Sequence, residues 1–175
     1  VDKEFIEFVP INNSIYNYEY HYNRLVTYNF EGLSRKNLHS KLREFLSNLK
    51  IMKRKMIENA YYGSQWWNLT NNAVEYILNY VENNSDYLKR FKNVWGSDEY
   101  FFQTILLNSI LKNNCLCNNL RYIDWSRAIG SHPHTFVFND YNNIKLYTGG
   151  GIFARKFDEN IDNDIIDKLY EDLED

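Results

Sequence analysis

The chain has 175 residues and a mass of 21.1 kDa, with 44% hydrophobic, 17% aromatic and 25% charged residues. That length fits one ordinary domain able to bury its own core, and the apolar content excludes wholesale disorder. A net charge of −3 with a pI near 5.8 argues against a nucleic-acid binder, and no apolar run approaches the ~20 residues of a membrane span.

Residues 4–9 and 24–30 read as short strands. Residues 34–59 hold eight Lys or Arg against two Glu. Leu38, Leu42, Phe45, Leu49, Met52 and Met56 alternate spacings of four and three, which predicts one long amphipathic helix. Its basic face is either solvated or turned to anionic lipid or an anionic substrate. Residues 63–69 read as a strand entered through a Gly-Ser turn. Thr70 or Asn71 caps a helix over 72–82, with Ala73, Val74, Ile77, Leu78 and Val81 inward. A shorter helix follows at 86–92. Ser97 caps another over 98–112, with Phe101, Phe102, Ile105, Leu106 and Ile110 inside. Residues 120–125 and 135–138 read as strands. The last stretch, 158–175, has nine acidic residues and one Lys. It predicts a solvated helix on an inner face of Ile161, Ile165, Ile166, Leu169 and Leu173. The expectation is a mixed α/β protein without internal repeats, organised as a single domain over 1–175.

Most standard chemical motifs are absent. There is no dinucleotide glycine fingerprint, phosphate loop, nucleophile elbow or zincin helix. Cys115-Leu116-Cys117 is too tight for a zinc pair and has no second cysteine pair, so with His132 and His134 it reads as a buried thiol pair and loop histidines. Two thiols make no disulfide framework, which fits a reducing compartment. The sequons at Asn12, Asn68 and Asn83 read as chance in a chain with 25 Asn. The 15 Tyr, 11 Phe and 4 Trp fit either compositional bias or a surface that stacks on sugar rings.

Two constellations carry candidate chemistry. Phe153-Ala154-Arg155-Lys156-Phe157-Asp158 sets two cations between aromatic anchors, after the turn Gly149-Gly150-Gly151 and before a helix start near Asp162. That arrangement suits a phosphate or diphosphate, against the plainer reading of an exposed Arg-Lys pair. Gly96-Ser97-Asp98-Glu99 opens an apolar helix with two carboxylates. They either compensate the helix dipole or supply a general base for a sugar hydroxyl.

Four segments in order resemble glycosyltransferase family 14, the core-2 branching β-1,6-N-acetylglucosaminyltransferases, protein O-xylosyltransferases and their bacterial relatives. They are Gly63-Ser64-Gln65-Trp66-Trp67 with Leu69-Thr70; Ser97-Asp98-Glu99-Tyr100-Phe101-Phe102-Gln103-Thr104; Arg121-Tyr122-Ile123-Asp124-Trp125 with His132-Pro133; and Phe153 to Asp158. The resemblance covers about residues 60–160 and implies a glycosyltransferase-A-like α/β fold, a mixed sheet flanked by helices. It implies inverting transfer from a UDP-sugar to a glycan hydroxyl without an essential metal or other cofactor. The donor sugar is expected to be N-acetylglucosamine, with xylose second. By the same resemblance Glu99, beside Asp98, is the base, and Lys156, helped by Arg155, binds the donor diphosphate. Trp125, Trp66, Gln65 and Ser64 are candidates for acceptor or sugar contact. Arg127, His132 and Arg155 are candidates for a second diphosphate cation. Departures exist: Ser97 stands where a Pro is common, and the cysteines of the animal enzymes are missing, which points to a bacterial-type member.

The chain opens Val-Asp-Lys-Glu without an initiator Met or signal peptide. It is expected to be the C-terminal part of a catalytic domain, lacking the half that cradles uridine. A bacterial-type member would sit in the cytoplasm or peripherally at the cytoplasmic membrane face; a eukaryotic one would lie in the Golgi lumen. The rival from another class is a non-catalytic carbohydrate-binding or interaction module, which has no need of both Glu99 and Lys156.

Overall fold

The computed structural model describes residues 3–29, 53–147 and 149–174. The chain divides into two compact units, residues 1–117 and 118–175.

In the first unit, β1 (Glu4–Ile6) lies between β4 (Trp67–Asn68) and β5 (Cys115–Leu116). It runs antiparallel to β4, with Ile6 opposite Trp67, and parallel to β5, with Glu4 opposite Cys115. A second ribbon pairs β2 (Val9–Pro10) with β3 (Tyr61–Tyr62). Helix α1 spans Tyr18–Val26, α2 Asn71–Asn83, α3 Ser85–Phe91 and α4 Phe101–Leu107. Ile6, Ala73, Ile77, Ile105, Leu106 and Leu107 form one core cluster. Leu25, Ala60, Phe91, Val94 and Tyr100 form another.

The cap of α2 is as the sequence predicts. The Thr70 hydroxyl accepts from Ala73 N at 3.2 Å. Buried Glu4 anchors that cap to β1, since its carboxylate accepts from Thr70 N at 2.8 Å and from the Thr70 hydroxyl at 2.7 Å. Of the predicted inward face, Ala73 and Ile77 are buried, but Val74 and Leu78 are exposed.

Several predicted elements are corrected. Residues 24–26 end helix α1 rather than begin a strand: His21, Leu25 and Val26 are buried together, a helical spacing, and the chain turns extended only at Thr27. Residues 34–52 of the predicted basic helix lie outside the described residues. Residues 53–57 form no helix: Arg54 is tied to other segments, its backbone N donating to Val26 O and its guanidinium to Arg90 O and Lys92 O at 3.0 Å each. The predicted helix 98–112 is broken in three: a 3-10 turn at Ser97–Glu99, α4, and a 3-10 turn at Ile110–Asn114. Gly96, not Ser97, starts the first, and Tyr100 leaves helical geometry. The Ser109 hydroxyl accepts from Leu111 N and restarts the chain, a local bond that competes with continuous helix. Ile110 is consequently 87% exposed.

In the second unit, β6 (Arg121–Ile123) runs parallel to β7 (Phe153–Arg155), with Tyr122 opposite Ala154. The crossover carries a 3-10 turn at Phe138–Asp140 and helix α5 (Tyr141–Lys145). Helix α6 spans Asp164–Glu174, and Asp162 caps it by accepting from Ile165 N at 3.1 Å. Phe136 and Ile165 are fully buried, and the Phe136 ring packs against Tyr122 and Phe157. Residues 135–138 form no strand. Phe136 N reaches Lys156 O, but the next two amides bond the carboxylates of Asp140 and Asp162. Of the predicted inner face of α6, Ile165 is buried while Ile161 is 59% exposed.

Candidate functional site

In the first unit, Glu99 ends the 3-10 turn that Gly96 opens in the left-handed region, at φ 61°. Its Oε2 pairs with Arg24 Nη2 at 2.7 Å; the arginine side chain is 8% exposed and the glutamate 32%. Arg24 is itself fixed. Its Nε and Nη2 donate to Trp95 O at 3.1 and 3.0 Å, and its guanidinium lies over the rings of Trp95, Tyr100 and Tyr20. A side chain at position 96 would collide with that guanidinium. Among the described residues, nothing donates to the other carboxylate oxygen, Oε1. The result is a positioned, partly open carboxylate.

Around this pair sit Tyr62, Tyr100 and His21. His21 Nδ1 and the Tyr100 hydroxyl are 2.9 Å apart. Burial, then the charge of Arg24, lowers the His21 pKa below its ordinary value. Burial raises the Tyr100 hydroxyl, so it stays neutral. Burial also raises the Glu7 carboxyl, and Glu7 acts electrostatically on Tyr62.

The segment bearing Ser64, Gln65 and Trp66 is stitched to the same place. Gly63 N donates to Glu99 O at 2.9 Å. Any side chain at Gly63 would overlap the Glu7 carbonyl. Polar side chains of α4 and of the residue that caps its C-terminus supply the rest. Gln103 Nε2 donates to Ser64 O at 2.8 Å, the Thr104 hydroxyl accepts from Tyr61 N at 3.0 Å, and Asn108 donates to Asn59 O at 2.9 Å. Gln103 Oε1 is buried without a partner among the described residues. Ser64 is half-buried and accepts from Trp66 N; Gln65 and Trp66 are exposed. Asp98 diverges from Glu99 despite being its neighbour: it lines an apolar groove with Leu88, Phe91, Phe101 and Phe102.

In the second unit, Trp125 is 57% exposed, so it is a surface ring and not a core tryptophan. Its loop is held by a polar network. Asp124 accepts from the Ser126 hydroxyl at 2.6 Å and from Arg127 Nε at 2.6 Å. Arg127 Nη1 reaches Asp140 Oδ1 at 2.8 Å, and Asp140 Oδ2 pairs with His134 Nε2 at 2.9 Å. The bonds from Ser126 and then Arg127 hold the Asp124 carboxyl down to about 2. Arg127 and His134 are thereby committed to carboxylates, while His132 is exposed on a turn.

Arg155 ends β7, across from Ile123, and Lys156 follows it. Arg121 on β6 lies over the Phe153 ring, and burial, then the charge of Arg155, lowers its pKa. The ribbon thus gathers three cations, Arg121, Arg155 and Lys156. Lys156 holds Phe136 through its backbone O, and no described residue binds its ammonium.

Cys115 is buried, and burial raises its thiol to about 11, whereas Cys117 is exposed, so the expected buried pair is half right. Among the described residues no group of His, Cys, Asp and Glu is arranged to hold a metal ion. None of their helices is long and apolar enough to cross a membrane. Sequence reading missed Arg24, His21 and Glu7. The signal for the first two was the i, i+3, i+4 spacing of His21, Arg24 and Leu25, hidden by reading residues 24–30 as a strand.

A family model described as core-2/I-branching enzyme matches residues 10–147. Xylosyltransferase 2 of Homo sapiens is 27% identical over 121 residues, covering 61% of this chain and 14% of that protein. Xylosyltransferase 1 of Rattus norvegicus is 28% identical over 121 residues, covering 61% of this chain and 15% of the relative. The chain therefore spans only about one seventh of the length of these relatives. The family match takes in Ser64–Trp66, Asp98, Glu99 and Trp125 and stops before Arg155 and Lys156. Because it takes in well over half of the residues, the chain belongs to the core-2/I-branching enzyme family.

Proposed function

We propose that this chain is the base-bearing part of an inverting, metal-independent glycosyltransferase of glycosyltransferase-A-like architecture. The donor is a UDP-sugar and the acceptor a glycan hydroxyl. The observation that carries the reading is the Glu99 carboxylate, held through one oxygen by Arg24 with its other oxygen open. The acceptor oxygen attacks the anomeric carbon, its proton passes to Glu99 Oε1, and the bond to the diphosphate breaks with its electron pair on the leaving oxygen. Lys156 and Arg155 offset the charge of the departing diphosphate, the part a divalent ion plays elsewhere. Trp66 and Trp125 offer exposed rings to sugars, with Gln65 and Ser64 as hydroxyl contacts. The matched relatives are named xylosyltransferases, so xylose stands beside N-acetylglucosamine as the donor sugar.

In the enzyme that carries this chain, Glu99→Gln should lower transfer by ~10²-fold or more while UDP still binds. Transfer within tenfold of the parent would remove Glu99 as base. Calorimetric titration of UDP with a chelator present tests the other half. Lys156→Ala should weaken binding, and unchanged affinity would remove the diphosphate role. Loss of transfer on adding the chelator would reject metal independence.

A further inference from the structure

The tyrosines around the Glu99–Arg24 pair differ in what their hydroxyls do. The Tyr100 hydroxyl is 2.9 Å from His21 Nδ1, and the Tyr20 hydroxyl accepts from Arg24 Nη1 at 3.4 Å. No described residue bonds the hydroxyl of Tyr62. Tyr62 ends β3, where it pairs with Val9, and the amide of the next residue, Gly63, donates to Glu99 O at 2.9 Å. Its ring is half-buried and packs on His21 and Tyr100, its centroid 4.2 and 5.6 Å from theirs. A strand and two rings thus fix the phenol beside the base, which lowers the entropy cost of using it. The groups whose charges act on its hydroxyl are Glu99, Arg24, Tyr20 and Glu7. Burial, then Glu99, raises its pKa, so the hydroxyl keeps its proton and remains a donor.

Resting on the proposed transferase reading, we propose that Tyr62 is a further acceptor-binding residue and that the sugar it holds is uncharged. A sugar that presents one hydroxyl to Glu99 Oε1 has other oxygens beside it, and those need a donor. Ionised carboxylates cannot donate, and the Arg24 nitrogens are committed to Trp95 O, Glu99 and the Tyr20 hydroxyl. The Tyr62 hydroxyl is a neutral, uncommitted donor within the field of Glu99. It bonds a non-reacting oxygen of the acceptor sugar, the ring oxygen or a neighbouring hydroxyl. That bond orients the attacking oxygen, while the proton of that oxygen passes to Glu99. The charge balance sets the class of sugar. Glu99 and Glu7 set two carboxylates against the single guanidinium of Arg24, so a uronate or a phosphosugar meets net repulsion there.

The test compares Tyr62→Phe with the parent in the enzyme that carries this chain. Methyl β-glucoside, methyl β-galactoside and methyl β-N-acetylglucosaminide, all uncharged, are titrated by NMR with no donor present, beside methyl β-glucuronide. The parent should bind at least one uncharged probe, and Tyr62→Phe should weaken that binding roughly tenfold. The glucuronide should bind the parent roughly tenfold more weakly than the glucoside. In a transfer assay to the bound probe, Tyr62→Phe should raise KM by a similar factor and change kcat less, with UDP affinity unchanged. The substitution removes one oxygen and keeps the ring on His21 and Tyr100, so the denaturant midpoint should hold; a merely structural role would lower the midpoint and leave KM alone. Parental affinity in Tyr62→Phe, a glucuronide that binds as well as the glucoside, or no binding of any uncharged probe overturns the proposal. Failure of the transferase reading looks different. Sugar binding that depends on Tyr62 without transfer by the parent would keep the contact and give the chain to a non-catalytic carbohydrate-binding module. Transfer indifferent to Tyr62→Phe would leave the enzyme reading standing and this one fallen.

Discussion

At the residue scale, one arginine organises the candidate base. Arg24 bonds the Trp95 carbonyl, lies over three aromatic rings and closes on Glu99. Planarity and a fork of donors make that possible, so Arg24→Lys should not substitute for it. Gly96→Ala should act on the same pair, because the new methyl would displace the guanidinium and φ 61° disfavours any side chain. Both variants should lower transfer while leaving UDP affinity unchanged, and a UDP titration beside a transfer assay checks this. His21 supplies a pH prediction. Its folded pKa lies below the ordinary value of 6.5. As pH falls through that value the unfolded chain takes up a proton that the folded chain refuses, so stability falls with pH. Denaturant midpoints between pH 7.5 and 5.5, in roughly half-unit steps, should show that fall, and His21→Gln should flatten it.

At the element scale, what was legible depended on whether the signal was local. The cap at Thr70 and the spacing of Ala73 and Ile77 specify α2, and the structure agrees. Thr70→Ala should cost about 1–2 kcal/mol, since it removes the cap and one bond to buried Glu4. Urea denaturation against the parent measures it, and a loss near zero would show that Asn71 takes over the cap. The broken helix after Gly96 was not legible, because its apolar residues keep helical spacing across the break. Ser109 and the backbone at Tyr100 decide the break. The residues 135–138 failed as a strand for a related reason. Their pattern is right, but Asp140 and Asp162 take the amides that a ladder would use.

At the scale of the whole molecule, each unit has its own buried residues, so each has its own stability. Phe136→Ala removes a fully buried ring from the second unit and should cost about 3–5 kcal/mol there. Hydrogen exchange should report the loss in amides of β6 and β7, and leave the amides around Ile6 and Leu106 protected as before. Uniform loss of protection across both would show that the two units unfold as one.

The sequence by itself determined the family resemblance, the candidate carboxylate at Glu99, the cation run at Arg155-Lys156 and the capped helix at Thr70. All are contiguous in the chain, and short-range spacing encodes them. Tertiary structure alone decided that Arg24 faces Glu99, that Glu7 backs Gly63, that Gln103 holds Ser64 and that Asp98 turns to a groove away from its neighbour. The arginine and glutamate are 75 residues apart, and no local periodicity links them. Only packing of α1 against the Gly96 turn, paid for by burial of Leu25 and Tyr100, brings that charge pair together.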